Sequence, residues 1–176
     1  LERMRAIEDI DPVQRTATVQ AGVVLQALQE AVEQHDLAFP LDLGARGSAT
    51  LGGNAATNAG GNRVIRYGMT REMVLGIEVV MADGTIVSSL NHLIKNNAGY
   101  DLKHLFIGSE GTLGVITRLV LRLRERPTTT NMAFVGLDSF AAVARFLKHM
   151  DSGLGGTLSA FEVMWQSFYR LVTTAP

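Results

Sequence analysis

The amino-acid sequence predicts a fold that contains both strands and helices. Three observations lead to this prediction. Residues 15–21 and 114–124 alternate apolar with polar side chains, at the period of two that is typical of a half-buried strand. Residues 24–34 carry apolar side chains at helical spacing instead. The pair Asp83-Gly84 stands between two apolar stretches and predicts a hairpin with a two-residue turn, because glycine accepts a positive φ.

The first part of the chain predicts two strands and a helix. Residues 4–22 are expected to form two strands that are joined at Asp11-Pro12, a turn-forming pair. In the helix that follows, Leu25, Leu28 and Val32 share one face, and glutamine and glutamate side chains occupy the other.

The middle of the chain predicts a hairpin, a short helix and a long strand. The hairpin lies within residues 74–89, and the short helix lies within 101–108 with Asp101 as its possible N-cap. The strand at 114–124 has arginines between its apolar residues, and these arginines are expected to form a solvated face.

A boundary is predicted at Arg126-Pro127, which divides the chain into residues 1–127 and residues 128–176. Beyond the boundary we expect strands at 131–137 and 157–165. A helix at 138–153 lies between them, with Asp138 or Ser139 as its cap and Gly153 past its end, and a second helix begins at 166. Two short strands with one or two helices seldom form an independent core, so this part is expected to be an incomplete layer.

Composition excludes several classes of function. The 176 residues contain 16 lysines and arginines against 17 aspartates and glutamates, and neither sign forms a block, which argues against nucleic acid as a partner. The absence of cysteine rules out disulfides and thiolate chemistry. No apolar run reaches the roughly 18 residues that a transmembrane segment needs. The four histidines are scattered without metal-ligand spacing, so we expect no metal site.

The stretch from residue 44 to residue 61 is rich in glycine and asparagine, and its composition leaves two interpretations open. It could be a tightly turned structural loop, or a backbone that approaches a ligand closely and directs its N–H groups toward it. A flexible linker is disfavoured, because Leu41, Leu43 and Leu51 anchor the stretch to a core. A second glycine-rich element, residues 108–117, lacks the G-x-G-x-x-G order of a dinucleotide fingerprint, and the chain contains no P-loop sequence.

Several motifs in this order resemble a known family. They are "PLDLGARGSATLGGNAATNAGGNRVIRYG", "VLGIEVVMADG", "NNAGYDLKHLFIGSEGTLGVIT" and "TLSAFEVM", and the match extends roughly from residue 17 to residue 172. Together they resemble the FAD-linked oxidases of the vanillyl-alcohol oxidase and p-cresol methylhydroxylase type. Within that group they are most similar to the branch of D-2-hydroxyglutarate dehydrogenase, D-lactate dehydrogenase and the glycolate oxidase D-subunit.

The resemblance implies an α+β fold, in which residues 1–127 are the second subdomain of a p-cresol methylhydroxylase-type FAD-binding domain. Residues 128–176 would then begin a ferredoxin-like cap domain that binds the substrate. The positions whose family counterparts lie along the flavin and its diphosphate are Pro40, Gly47, Ser48, Gly52, Gly53, Asn58, Gly60 and Gly61. Those near the adenosine are Glu110, Gly111, Gly114, Val115 and Ile116, with the backbone of Ile116 at the adenine edge.

The resemblance also implies what lies outside this chain. The first FAD subdomain, with its diphosphate loop, is expected before Leu1, and the catalytic and substrate-binding residues of the cap are expected after Pro176. The chain is therefore expected to be a fragment that exposes core surface and self-associates. Where the family has an acidic residue after "EFM" or its equivalent, this sequence has Trp165, which makes a polar role there doubtful.

The implied function of the parent protein is FAD-dependent oxidation of a D-2-hydroxy acid by hydride transfer to the flavin N5. An unidentified electron acceptor and a homo-oligomer are implied as partners, and the bacterial cytoplasm or the mitochondrial matrix as the location. Two alternatives remain: the chain is a non-catalytic fragment that binds no FAD tightly by itself, or the enzyme acts on another alcohol or a sugar.

Overall fold

The strands form two sheets in the computed structural model, which describes residues 1–174. The larger sheet has five strands in the order β1-β2-β6-β4-β5, with every neighbouring pair antiparallel, and β3 pairs with β7 in a small second sheet. The strands are β1 (Ile7–Asp11), β2 (Thr16–Gln20), β3 (Leu37–Ala38), β4 (Val74–Val80), β5 (Ile86–Ser89), β6 (Val115–Arg122) and β7 (Arg124–Glu125). The helices are α1 (Leu25–Glu33), α2 (Leu51–Ala56), α3 (Val64–Tyr67), α4 (Thr70–Met73), α5 (Lys103–Phe106), α6 (Phe140–Leu154) and α7 (Gln166–Thr173).

The core lies between one face of the large sheet and the helices α1 and α2. Leu28 of α1, Leu51 of α2 and Leu119 of β6 belong to this buried cluster. Burial of apolar side chains of this size stabilises the fold by about 1.5–3 kcal/mol for each side chain. The prediction of strand, strand and helix for the first part of the chain is confirmed, because α1 buries the predicted Leu25, Leu28 and Val32.

The central strand β6 contains a bulge at Thr117. Val79 of β4 is opposite Ile116, but the preceding Glu78 is opposite Arg118, so Thr117 has no partner in the ladder. The Thr117 hydroxyl donates to Glu78 Oε1 at 2.8 Å. The bulge explains why the apolar pattern of this strand advances by three residues from Ile116 to Leu119 and by two afterwards.

The predicted hairpin is confirmed as β4 and β5, with Asp83-Gly84 in its turn. The prediction of a two-residue turn was wrong: the Met81 N–H donates to the Thr85 carbonyl at 2.8 Å, so three residues close the turn. The prediction that Asp101 caps the short helix was wrong. Leu102 occupies the N-cap of α5, and the Asp101 carboxylate pairs with Lys103 instead.

The predicted strands at 131–137 and 157–165 were also wrong, since neither stretch is a strand in the structure. A short extended segment needs a partner strand to satisfy its backbone, and within residues 128–174 neither segment pairs with another. The predicted helix is present as α6, with the Ser139 hydroxyl accepting from the Ala142 N–H at 3.2 Å. Gly153 lies inside this helix, and Gly155, with φ +55°, ends it.

Among residues 1–174, no helix combines the length and the apolar character that a membrane crossing requires.

Candidate cofactor site

The helix α2 is the centre of the candidate site, and its first turn is fastened to the end of β2. The Leu51 N–H donates to the Val23 carbonyl at 2.9 Å, and the Gly52 N–H donates to the Ala21 carbonyl at 2.8 Å. A Cβ on Gly52 would lie 2.5 Å from the Ala21 Cβ, so this position admits only glycine without a shift of the backbone. The glycine at 52 is therefore explained by close packing.

The loops before and after α2 lie side by side. The Asn62 N–H donates to the Asp42 carbonyl at 3.2 Å. A Cβ on Gly61 would come within 1.9 Å of the same carbonyl oxygen. The segment that leads into the first loop is held against α1, because the Gln29 side-chain amide donates to the Leu41 carbonyl at 2.7 Å. Pro40, in the same segment, is buried.

The second glycine-rich element is joined to the other end of α2. The Gly108 N–H donates to the Ala55 carbonyl at 3.0 Å, and the Glu110 N–H donates to the Ala56 carbonyl at 2.8 Å. Glu110 and Gly111 both have positive φ values, +52° and +78°, so the chain turns sharply away from α2 after these bonds. The structure therefore brings the two predicted glycine-rich elements together along one helix.

Arg71 holds the segment between α5 and the second glycine-rich element. Its guanidinium donates to the His104 carbonyl at 2.8 Å and to the Ile107 carbonyl. Its backbone N–H is bound by the Asn58 side-chain oxygen at 2.9 Å. Asn58 itself has a left-handed backbone, with φ +48°. The side chain of Asn58, which was predicted at the cofactor, thus positions α4 through this hydrogen bond.

Charges near this segment are partly balanced. Burial raises the pKa of the Asp101 carboxyl, but the hydrogen bond and charge of Lys103 and the charge of His104 outweigh that effect, so its pKa lies below the ordinary value. The described residues contain no group of three or more histidines, aspartates or glutamates that could hold a metal ion.

An apolar cleft of about 390 Å³ opens between the end of β4 and the second glycine-rich element. Val80, Met81 and Ala82 form one side, and residues 111–115 with Thr117 form the other. Four of the five residues predicted near the adenosine lie in or next to this cleft: Gly111, Gly114 and Val115 line it, and Glu110 precedes it. The fifth, Ile116, is buried in the core.

Five of the predicted positions have a backbone N–H that donates to no atom of residues 1–174, which leaves it available to a ligand. They are Gly47, Gly60, Gly61, Gly111 and Gly114. Four others donate within the chain; these are Ser48 to Ala45, Gly53 to the Thr50 hydroxyl, Asn58 to Ala55 and Glu110 to Ala56. The Gly52 N–H donates to the Ala21 carbonyl, as described above, and Pro40 has no N–H.

Burial divides the predicted positions in a different manner. Exposed on the surface are Gly47, Ser48, Gly53, Gly60, Glu110, Gly111 and Val115. Half-buried are Asn58, Gly61 and Gly114, and buried are Pro40, Gly52 and Ile116.

Two polar side chains at α2 have no hydrogen-bond partner among the described residues. The Asn54 side-chain nitrogen and the Ser109 hydroxyl are both inaccessible to solvent and unpaired. An unsatisfied buried polar group costs about 1–3 kcal/mol, so such groups are uncommon unless a ligand or water completes them. The site predicted from the sequence included neither Asn54 nor Ser109. Sequence reasoning also missed Arg71, since no sequence signal links that residue to carbonyls 33 and 36 positions away.

Comparison with known proteins identifies the family. Residues 1–89, half of the chain, match the family model described as an FAD binding domain. Three relatives are similar along nearly the whole chain. The mitochondrial D-2-hydroxyglutarate dehydrogenase of Bos taurus is 50% identical over 96% of this chain and 31% of its own length. The D-2-hydroxyglutarate dehydrogenase of Xanthomonas citri pv. viticola is 46% identical over 92% and 34%. The D-2-hydroxyglutarate–pyruvate transhydrogenase of Saccharomyces cerevisiae is 43% identical over 93% and 33%.

The chain thus spans about a third of the length of these relatives. A solved structure of alkyldihydroxyacetonephosphate synthase superposes on it with a TM-score of 0.64 and 27% identity, over 73% of this chain and 22% of that one. These matches confirm the expected resemblance to the FAD-linked oxidases. They also confirm that the chain contains an FAD-binding domain similar to the p-cresol methylhydroxylase-type fold. The chain therefore belongs to the family of FAD-binding domains, and its cofactor is FAD.

Proposed function

We propose that the protein containing this chain oxidises a D-2-hydroxy acid with FAD, and that the chain supplies one wall of the flavin site. The observation that carries the proposal is the junction of two glycine-rich elements on α2, beside an apolar cleft and with unpaired backbone donors on both elements. The names of the relatives, which are D-2-hydroxyglutarate dehydrogenases at 46–50% identity, support the substrate class.

The described residues fit the cofactor in two respects. The free N–H groups of Gly47, Gly60 and Gly61 are suited to bind diphosphate oxygens or the polar edge of a flat ring. The cleft beside Gly111 and Val115 has apolar walls that suit the adenine. We propose the thirteen positions of the sequence analysis as its contacts, with one distinction. Gly52 and Asn58 act by fixing the backbone, whereas the positions with free N–H groups act by direct contact.

The chain also contains the unpaired Ser109 hydroxyl and Asn54 amide next to these donors. We infer that they complete the polar surroundings of the site when it is filled, since both groups lack a partner otherwise.

Bound FAD supplies the redox chemistry by accepting a hydride at N5 from the carbon that bears the hydroxyl group. The contribution of this chain is to bind and orient the cofactor and to exclude water from one side of it. The base that takes the hydroxyl proton is assigned to a part of the protein outside this chain, as are the residues that select the hydroxy acid.

For the chain's organisation, we propose that residues 1–127 are the second part of the FAD-binding domain and that residues 128–176 begin a ferredoxin-like cap domain. The absence of any strand pairing between residues 128–174 and the large sheet supports a boundary near Pro127. An electron acceptor, a homo-oligomer, and a location in the bacterial cytoplasm or the mitochondrial matrix belong to the same proposal. The location is supported by relatives of both origins.

A second candidate is a chain that does not retain FAD by itself. It is favoured by the exposure of seven of the thirteen predicted contact positions, which a second wall would have to cover. A third possibility, another alcohol or sugar as substrate, keeps the flavin site and changes the part of the protein that binds substrate.

The test uses the full-length protein with a substitution in the apolar cleft. Leu113 lines the cleft and is 48% exposed, so Leu113→Asp is expected to leave the fold intact and to lower FAD occupancy by about tenfold, because a buried charge beside a ring is costly. The matched control is Leu102→Asp, since Leu102 is 52% exposed and lies outside the cleft. FAD content is measured by the visible absorbance of the flavin and folding by circular dichroism.

The reaction is tested separately in the unsubstituted protein. Anaerobic addition of D-2-hydroxyglutarate or D-lactate is expected to bleach the flavin absorbance, whereas the L-enantiomers leave it unchanged. Full FAD occupancy in Leu113→Asp would refute the proposed adenine cleft. A flavin that no D-2-hydroxy acid bleaches would refute the proposed reaction.

A further inference from the structure

A cleft of about 580 Å³ lies at the end of β6. It is formed by the β1–β2 turn, the helix α3 and the segment 122–128. Five arginines line it, and we call it the arginine cleft: Arg15, Arg66, Arg122, Arg124 and Arg126. None of the thirteen positions proposed for FAD lines it.

The arginine cleft concentrates positive charge. Its lining contains five guanidinium groups and one carboxylate, that of Glu125, which leaves a net charge of four positive units in a chain whose overall charge is −1. Glu125 pairs with Arg15 at 3.3 Å, but both side chains are largely exposed, so this pair neutralises little of the field.

Some of these arginines belong to the set expected to form a solvated strand face, and the structure separates that set into two groups. Arg118 is neutralised by Glu8 at 2.8 Å and by Glu78 at 3.2 Å, which makes it part of the sheet's own ion pairs. Arg122, Arg124 and Arg126 alternate along the chain and reach the cleft, where they meet Arg15 and Arg66 from distant parts of the sequence. Among residues 1–174, no carboxylate forms an ion pair with any of these three or with Arg66.

The guanidinium groups are close enough to affect one another. Desolvation lowers the pKa of Arg124, and the charges of Arg122, Arg15 and Arg66 lower it further, with Tyr67 acting in the opposite direction. Arg66 is held in place over the Tyr67 ring, with 5.1 Å between the guanidinium carbon and the ring centroid, and its Nη1 reaches the Thr157 carbonyl at 3.5 Å. A bound anion would relieve this mutual repulsion.

We propose that the arginine cleft binds a small, multiply charged oxyanion through the guanidinium groups of Arg122, Arg124 and Arg126. Guanidinium forks match the geometry of carboxylate and phosphate oxygens, and two or more forks in one cleft favour a ligand with two or more negative charges. The volume lies in the range of small-molecule sites, about 300–1,000 Å³. Carboxylates and phosphates share this chemistry, so the ligand is a polycarboxylate or a phosphate ester. The proposal does not depend on the function of the flavin site.

The test is isothermal titration of the full-length protein with two probes, citrate and inorganic pyrophosphate. Binding of at least one probe is expected, with an affinity that falls as sodium chloride is raised, because screening weakens exposed charge pairs. The probe that binds with the higher affinity shows whether the cleft prefers a carboxylate ligand or a phosphate ligand.

The decisive variant is Arg122→Gln/Arg124→Gln, which is expected to weaken binding by about tenfold or more, since charge-assisted hydrogen bonds are lost. Arg126→Gln serves as a second variant, because this side chain is exposed and its replacement leaves the sheet untouched. The control is Arg145→Gln on the exposed side of α6, which removes the same charge elsewhere and is expected to leave the affinity unchanged.

Three outcomes would overturn the proposal. The first is that neither probe binds. The second is that both probes bind equally well to the control and to the cleft variants. The third is that the cleft binds an acidic peptide such as hexaglutamate and neither small anion. If the double variant does not fold, an unchanged affinity in Arg126→Gln overturns the proposal and a tenfold loss supports it.

Discussion

The backbone N–H of Glu110 donates to the carbonyl of Ala56 across 2.8 Å, and this bond joins two glycine-rich elements that are far apart in the sequence. Gly108 makes a parallel bond to Ala55 at 3.0 Å. Both bonds end on α2. The residues just before the second element are held by the guanidinium of Arg71, which donates to the His104 and Ile107 carbonyls, and by the packing of Phe106 and Ile107 in the core.

Replacement of Arg71 by alanine is therefore expected to loosen the second glycine-rich element. Loss of charged hydrogen bonds to two carbonyls should lower the free energy of unfolding by about 1.5–3 kcal/mol. Urea denaturation measures the loss, and hydrogen exchange of the Gly108 and Glu110 amides should be faster. Arg145→Ala is the control, with an expected change within about 0.5 kcal/mol. Protection of both amides at the native level in Arg71→Ala would contradict the role given to this side chain.

Two glycine-to-alanine substitutions are expected to have opposite effects. In Gly61→Ala the new Cβ would lie 1.9 Å from the Asp42 carbonyl oxygen, so the backbone must shift and the free energy of unfolding should fall by about 2 kcal/mol or more. Gly153 lies within α6 with nothing within 4 Å of a Cβ, and Gly153→Ala should raise the stability by about 0.5–1 kcal/mol. Urea denaturation of both variants and of the native chain measures the two changes in the free energy of unfolding. Equal effects of the two substitutions would show that close packing at Gly61 is not what requires glycine.

The turn of the β4–β5 hairpin is expected to weaken in acid. The N–H of Thr85, 2.9 Å from Asp83 Oδ1, lowers the pKa of the Asp83 carboxyl below its ordinary value of 3.8. Since the folded pKa is lowered, the carboxylate stabilises the turn above pH 3.8, and the contribution is lost as the pH falls through the lower folded value.

An NMR titration of the Thr85 amide shift should give a midpoint below 3.8. In Asp83→Asn the amide oxygen still accepts the bond, so the turn should remain and this titration should disappear. A midpoint at or above 3.8 in the native chain would disprove the assignment.

Self-association is expected of the chain, because its last part exposes large apolar side chains. Met132 is 96% exposed, Phe134 is 78% exposed and Leu171 is 76% exposed. Sedimentation should detect concentration-dependent association, and Phe134→Ser/Leu171→Ser should reduce it. A native chain that remains a monomer over a hundredfold range of concentration would rule this out.

The sequence allowed prediction of the elements whose side chains alternate or repeat within one segment. Local patterns were sufficient for β1, β2, α1, β4, β5 and β6, because burial on one face imposes a period. They failed at 131–137 and 157–165, where an apolar run alone predicted strands. A strand exists only when another segment pairs with it, and no local pattern reports that pairing.

The candidate site was predicted in outline through the glycine-rich motifs, but the reason for individual glycines was not. Gly52 and Gly61 are explained by the close approach of Ala21 and Asp42, whereas Gly111 faces open space. The three glycines look alike in the sequence, because the contacts that require Gly52 and Gly61 come from other segments, while Gly111 is required by its own φ of +78°. The arginine cleft was missed for the same reason, because its charges converge only after folding.

The strand order β1-β2-β6-β4-β5 has a consequence for the way the chain acquires its structure. The two hairpins β1–β2 and β4–β5 are local and can form early, but only β6 pairs with both of them. During synthesis the two halves of the sheet therefore cannot join until residues 115–122 have left the ribosome. Until β6 has formed, the inner edges of the two halves, β2 and β4, are unpaired. Until then those edges are open to pairing with another chain, so the interval before β6 emerges is the period of greatest risk of aggregation.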